Sequence, residues 1–405
     1  MEPAPGHDRR GEAPPRLDSL AGLRRKAPLL VLVAFCLLAG LWAGLLRLGL
    51  DVPELDASLP ADHGPLMILG FLGTLISLER AVALGQKWAF LAPLGAGLGM
   101  VVTLFGGEIP GNWLLVGAGA VLTAAAIVIF IRQPALHSAV MGGGAVSWLV
   151  GAALWLDGRT DLTTFAWLAG FLVLTVTGER LELARFTRLE PLARNLFLGA
   201  SAIFGLGLLL MFADETLGAR VVGVGLLALA AWLGRYDLAR RSLRTSGLTR
   251  YMAACLLAGY AWLAIAGGTW IVSGAAYGWS YDAKLHTVFL GFVMSMVFGH
   301  AAVIFPAVFR VAVPYKTAFW GHLVLLHAGL AVRILGDATA NRDAWQTGGV
   351  INEIAILLFI AVVGGTAFRA TRARARRQGR SPNLAPGLSA HDQLPSMPPA
   401  GDFEA

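Results

Sequence analysis

Twelve runs of roughly twenty apolar residues follow one another along this chain. They lie at about 28–50, 62–84, 88–106, 112–132, 137–156, 161–184, 193–213, 217–235, 250–274, 281–309, 317–336 and 347–369. A helix rises about 1.5 Å per residue, so each run is long enough for the ~30 Å hydrocarbon core of a bilayer. Inside lipid every backbone N–H and C=O must find its partner within the protein, and for separate runs of this length the helix does that. The expected fold class is an all-α membrane protein with twelve transmembrane helices. Composition agrees, with 56% apolar and only 14% charged residues, against about 25% charged in a soluble domain. The flanks, 1–27 and 371–405, are rich in Pro, Arg and Gly and are expected to be disordered. The membrane domain is then 28–370.

A shorter pattern recurs inside these runs. GFLGTLISLER at 70–80 returns as GFLVLTVTGER at 170–180 and, more weakly, as GFVMSMVFGHA at 291–301. Each Gly-Phe pair precedes a polar residue at the same offset: Glu79, Glu179 and His300. The three copies fall on segments 2, 6 and 10. The chain therefore reads as three pseudo-repeated four-helix units, about 28–132, 137–235 and 250–369. Convergent packing is the competing explanation, because small residues let membrane helices approach closely. The equal step in the helix count favours a repeat.

Basic residues set the expected orientation. If both termini are cytoplasmic, only Arg47, Arg159, Arg220, Lys284, Arg333 and Arg342 fall on outer segments, and the other 26 of 32 Lys and Arg fall on inner ones. That is the positive-inside pattern, here of a bacterial-type inner membrane. The net charge of +7 is thus a topology signal and a contact for the lipid bilayer, with no aromatic-interleaved basic surface for nucleic acid. Cys36 and Cys255 both sit in apolar runs, which excludes a disulfide framework and a thiolate metal cluster. No Gly-rich phosphate loop, Ser-His-Asp set or HExxH motif is present, so the soluble enzyme classes are not indicated.

The residues that carry chemistry are few. His63 and His286 open segments 2 and 10, within a few residues of the outer face. Equivalent helices would hold them at similar depth, where two neutral imidazoles can ligate a haem iron from both sides. Asp62 and Asp282 are then the carboxylates that fix the ring tautomers. The plain alternative is a pair of interfacial histidines. His300 lies fourteen residues after His286 on the same helical face, about 21 Å further along the axis. It is a weaker metal candidate, as are His322 and His327, which diverge by about 140° and cannot share one ion from an ideal helix. Glu79-Arg80 and Glu179-Arg180 end segments 2 and 6 as proton-relay groups or as interfacial ion pairs. Glu353, beside Asn352, lies deeper in segment 12. Arg333 and Asp337 are four apart and read as a local ion pair.

Three four-helix units with ligand candidates on segments 2 and 10 resemble the layout of the haem–copper oxidase superfamily. AWLAIAGG, then Lys284-Leu285-His286 and Gly291 five residues on, is similar to the NnrS-type membrane proteins, as are VRILGD at 332–337 and Asp62-His63-Gly64. That family's Leu-Gly-His-Thr-Gly-Arg after helix 10 is absent here. The resemblance implies haem, here a haem b, with copper as a second metal, and a link to the nitric oxide response. It also implies a respiratory or denitrification electron-transfer partner. The expected function is a haem-binding redox or nitric-oxide-responsive membrane protein. A small-solute or proton-coupled transporter stays open, as does an assembly factor for a respiratory complex. Transporters usually carry inverted or two-fold repeats with midplane sites, unlike this pattern.

Overall fold

A computed structural model of the chain describes residues 19–54, 58–184, 189–309 and 311–378. Among the described residues there is no strand, and helix dominates. Twelve helices are long and apolar enough to cross a membrane, which fits an integral membrane protein. They are α1 (Ser19–Arg47), α2 (His63–Leu84), α3 (Lys87–Leu104), α4 (Glu108–Arg132), α5 (Leu136–Leu156) and α6 (Leu162–Ala184). There follow α7 (Pro191–Leu210), α8 (Glu215–Tyr236), α9 (Gly247–Ser273), α10 (Trp279–Val308), α11 (Phe319–Thr339) and α12 (Arg342–Gln378). Helix extends at both ends beyond the expected membrane domain, from Ser19 and to Gln378. The rest of the expected disordered flanks, 1–18 and 379–405, lies outside the described residues.

Burial sorts the helices. The apolar stretch of α6 is 94% buried and those of α2 and α10 are each 61% buried, while the other nine lie between 28% and 56%. A helix hydrophobic all round belongs in the interior of a bundle, and α6 is such a helix. The three Gly-Phe helices are therefore the most enclosed, with the rest more exposed. Side chains join these three at both ends. Arg80 of α2 pairs with Glu179 of α6, and His63 of α2 faces His286 of α10. Phe165 of α6 meets Tyr281 of α10 edge-on. The starts of α2, α6, α8 and α10 meet at one end of the bundle, through His63 with His286, Phe165 with Tyr281 and Thr163 with Glu215.

Two of the three inner helices are not uniform. Leu66–Gly73 in α2 and Thr287–Met294 in α10 are π-helical, with i→i+5 bonding in place of i→i+4. Such widened stretches are rare and concentrate at functional sites. In both, the Gly-Phe pair occupies the fifth and sixth positions. The corresponding stretch of α6 is plain α-helix. Trp148 of α5 anchors the core beside them. It is fully buried, lies 4.8 Å from the Phe171 ring, and donates its indole N–H to the Leu115 carbonyl at 3.2 Å.

The start of α6 shows how a helix end here is capped. The Asp161 carboxylate accepts from the Thr164 amide and hydroxyl, both at 2.9 Å, and pairs with Arg159. Burial alone pushes its pKa up, but those hydrogen bonds and the Arg159 charge outweigh it and hold the carboxyl below its usual range. Nearby Tyr277 reaches Glu215 with its hydroxyl, and burial raises its pKa.

Candidate cofactor site between the second and tenth helices

His63 is the first residue of α2 and His286 lies at the end of the first two turns of α10. The fold brings their rings together, with centroids 6.3 Å apart and planes 24° from parallel. Each ring is held by its Nδ1. His63 Nδ1 donates to the Gly40 carbonyl of α1 at 2.8 Å. His286 Nδ1 donates to the Asp282 carbonyl at 3.0 Å and lies 3.2 Å from the Asp282 carboxylate. A carbonyl only accepts, so Nδ1 carries a proton in each ring, and in the neutral form of the ring Nε2 carries the lone pair. Among the described residues neither Nε2 has a protein hydrogen-bond partner.

The rings border a cavity of about 100 Å³. The walls come from α1, α2, α6, α10, α11 and α12, and much of their surface is apolar, including Ile68, Leu72, Phe165 and Phe289. Met67 and Met294 bring thioethers to the same space, and Arg47 and Arg333 bring cations. Close backbone approach makes the site. A Cβ on Gly64 would stand 2.5 Å from the Phe165 ring, and one on Gly44 would stand 3.1 Å from the His63 ring and 2.8 Å from Glu353 Oε1. Glycine at both positions lets α1 and α6 close on the histidines.

The carboxylates sort differently from the sequence expectation. Asp282 contacts His286 and also takes a two-pronged bond from Arg333, at 2.8 and 2.7 Å. Arg333 therefore does not form the expected local pair with Asp337. It reaches across to α10 because the guanidinium fork matches a carboxylate in a bidentate fit. Asp337 is buried with no hydrogen bond to either oxygen. The tautomer of His63 is set by Gly40 rather than by Asp62, which is buried before the helix starts. Glu353 lines the cavity, and its Oε2 and the neighbouring Asn352 Oδ1 are buried without partners.

The remaining candidates lie elsewhere. His300 Nδ1 donates to the Met296 carbonyl at 2.8 Å, and its Nε2 is 3.5 Å from Arg180. His322 accepts or donates at Nε2 with the Tyr251 hydroxyl at 2.9 Å inside a box of Phe298, Phe319 and Phe359. His327 Nδ1 accepts from the Trp262 indole at 3.0 Å. These three histidines are apart from the His63–His286 pair, and each has a nitrogen committed to the protein. Glu179 is bound by Arg80, with Glu79 half-buried next to them. Among the described residues no three His, Cys, Asp or Glu side chains converge as a metal cage.

Sequence reasoning missed several contacts. Arg180 is paired two-pronged with Asp237, at 2.7 and 2.8 Å, with both side chains buried. Lys284 is fully buried, and its ammonium donates to the Gly274 and Ala276 carbonyls just past α9. Its place two residues before His286 drew attention to the histidine alone. The π-helical stretches carry a sequence signal of their own. A hydroxyl stands four residues after the Gly in the two widened copies, Thr74 and Ser295, and Leu174 stands there in the plain one. The Ser295 hydroxyl donates to the Gly291 carbonyl, as such hydroxyls do where helical bonding is disturbed.

No curated protein and no solved structure matches the chain. A family model matches residues 26–368, which covers every helix described above from the first apolar stretch of α1 into α12. The chain belongs to that family, a domain of unknown function designated DUF8744.

Proposed function

We propose that this protein binds a haem between His63 and His286 and serves as a redox protein of the membrane. The observation that carries the reading is the pair of facing imidazoles with both Nε2 lone pairs uncommitted. Imidazole nitrogens sit about 2 Å from a ligated metal, so two ring centroids on opposite sides of one metal lie about 6 Å apart. The observed 6.3 Å fits. The apolar walls suit the faces of a macrocycle, and Arg47 suits its carboxylate edge.

Haem held by two imidazoles supplies reversible one-electron transfer. His63 and His286 would both be needed to hold the haem, so the pair would not also serve a gas ligand such as nitric oxide. The geometry therefore favours electron transfer over gas sensing within the NnrS-like reading. Asp282 orients His286, Gly40 orients His63, and the apolar walls exclude water. We further infer that α2, α6 and α10 are equivalent helices of three four-helix units. Their shared Gly-Phe pattern and greatest burial support this. The basic-residue split supports cytoplasmic termini.

A copper reading has one observation of its own. Met67 and Met294 line the same cavity as the two histidines, and thioether with imidazole suits Cu(I). The test is a visible spectrum, oxidised and reduced, with metal analysis, on protein purified from cells supplied with haem. The expected result is a low-spin haem spectrum lost in His63→Ala and in His286→Ala and kept in His322→Ala. Copper at one equivalent without haem selects the second reading. Absence of both overturns the redox function in favour of a transporter.

A further inference from the structure

At the end of the bundle opposite the histidines lies a second, polar cavity of about 490 Å³. It sits where α8 ends and the following turn leads to α9. Four arginines line it: Arg235, Arg240, Arg241 and Arg244. All four are exposed, and among the described residues none is paired with a carboxylate. Two acidic residues share the wall. Asp237 is already taken by Arg180 and by the Ala239 amide, at 2.7 Å. Glu190, at the start of α7, is exposed and leaves the cavity strongly positive.

The cavity adjoins a surface made for lipid. Leu189 and Ala193 are part of its wall. From there α7 exposes Leu192, Leu196, Ile203 and Leu206, each more than a third accessible. An apolar strip of this length on a membrane helix faces acyl chains. A ligand that fits both parts has an anionic head for the arginines and an apolar tail for α7. Guanidinium forks match phosphate oxygens in two-pronged bonds, and basic pockets between membrane helices hold anionic lipid headgroups.

We infer that this cavity is a binding site for the phosphate headgroup of an anionic phospholipid whose chains lie along α7. The site is independent of the haem reading. The test uses the full-length protein in a non-ionic detergent, titrated with dioctanoyl phosphatidylglycerol, dioctanoyl phosphatidylcholine or inorganic phosphate and followed by calorimetry. Phosphatidylglycerol should bind saturably and at least tenfold more tightly than either other probe. Arg241→Gln/Arg244→Gln should weaken it at least tenfold. Arg369→Gln/Arg372→Gln, an equal loss of charge at the same end of the bundle, should change it less than threefold. Phosphate binding as tightly as phosphatidylglycerol would make this a free-anion site and overturn the lipid assignment. Equal binding of the two lipids, or equal weakening by both double variants, would reduce it to diffuse surface charge and overturn the site.

Discussion

Asp282→Asn is the most informative single change. The carboxylate does two jobs at once, one toward His286 at 3.2 Å and one toward Arg333 at 2.7 and 2.8 Å. The amide keeps one accepting oxygen and loses the charge. Removing one partner of a buried ion pair costs about 3–5 kcal/mol. Here the side chains are 16% and 10% exposed, and one hydrogen bond survives, so a loss of about 2–3 kcal/mol in stability is expected. The effect on the site is separate. Loss of a carboxylate behind a ligating imidazole typically weakens metal binding about 10–100-fold, which is about 1.4–2.7 kcal/mol. It also removes negative charge that favours the oxidised metal, so the reduction potential should rise. The assay is haem titration of the purified apoprotein, with thermal unfolding on the same samples. Arg333→Gln is the partner experiment, since it breaks the ion pair and leaves the carboxylate on His286. It should cost stability and spare most of the affinity. If Asp282→Asn lowers the unfolding midpoint yet binds haem within threefold of the parent protein, Asp282 serves the ion pair alone and the argument through His286 fails.

Further predictions follow from the same contacts. Asp237→Ala leaves the Arg180 guanidinium, 7% exposed, without its partner and should cost about 3–5 kcal/mol, whereas Arg180→Met/Asp237→Leu should recover most of that. Thermal unfolding in detergent checks both, and equal losses would refute the pairing argument. Asp161→Ala removes the cap of α6 and should cost about 1 kcal/mol near neutral pH. Its folded pKa is depressed, so that contribution is present above the unfolded value of about 3.9 and is lost as pH falls through the folded one. The variant and the parent should therefore converge in acid, and a constant gap down to pH 2 would count against the cap. Reporter fusions after residues 56, 158 and 340 should read external, and fusions after 190 and 245 internal; reversal at any two sinks the orientation.

Much of the architecture was legible because the bilayer imposes a length. Twelve apolar runs announced twelve helices, and the sequence boundaries differ from the observed ones by only a few residues at most ends. Contacts between helices were less legible, since sequence spacing reports only neighbours on one helix. Arg333 illustrates the failure. Its i+4 neighbour Asp337 was the only partner that periodicity offers, and the chosen partner sits on another helix, fifty-one residues earlier. Asp62 is the converse. Adjacency in sequence suggested a partner for His63, and a backbone carbonyl from α1 holds that place instead. The cavity's arginines are among the 26 basic residues that set the expected orientation, but its concave surface depends on how the turn after α8 folds back.

The three Gly-Phe helices divide the work unequally, and the division follows from a few positions. At the end where these three helices start, α2 and α10 carry the histidines and α6 carries Phe165, which walls the same cavity. At the other end α6 carries the charges that tie its neighbours, Glu179 to Arg80 of α2 and Arg180 beside His300 of α10. Between the ends, α2 and α10 pass through π-helical turns and α6 does not. A helix with widened turns has carbonyls displaced from regular bonding, which is tolerable only where hydroxyls or close neighbours take them up. Ser295 provides such a hydroxyl on α10. The Thr74 hydroxyl on α2 makes no such bond, and α6 stays regular with its Thr175 and Thr177 hydroxyls donating to the Phe171 and Val173 carbonyls. The helix without a histidine at this end is thus the regular, most enclosed strut, and the two that carry one are those whose backbone departs from the α form within a turn of it.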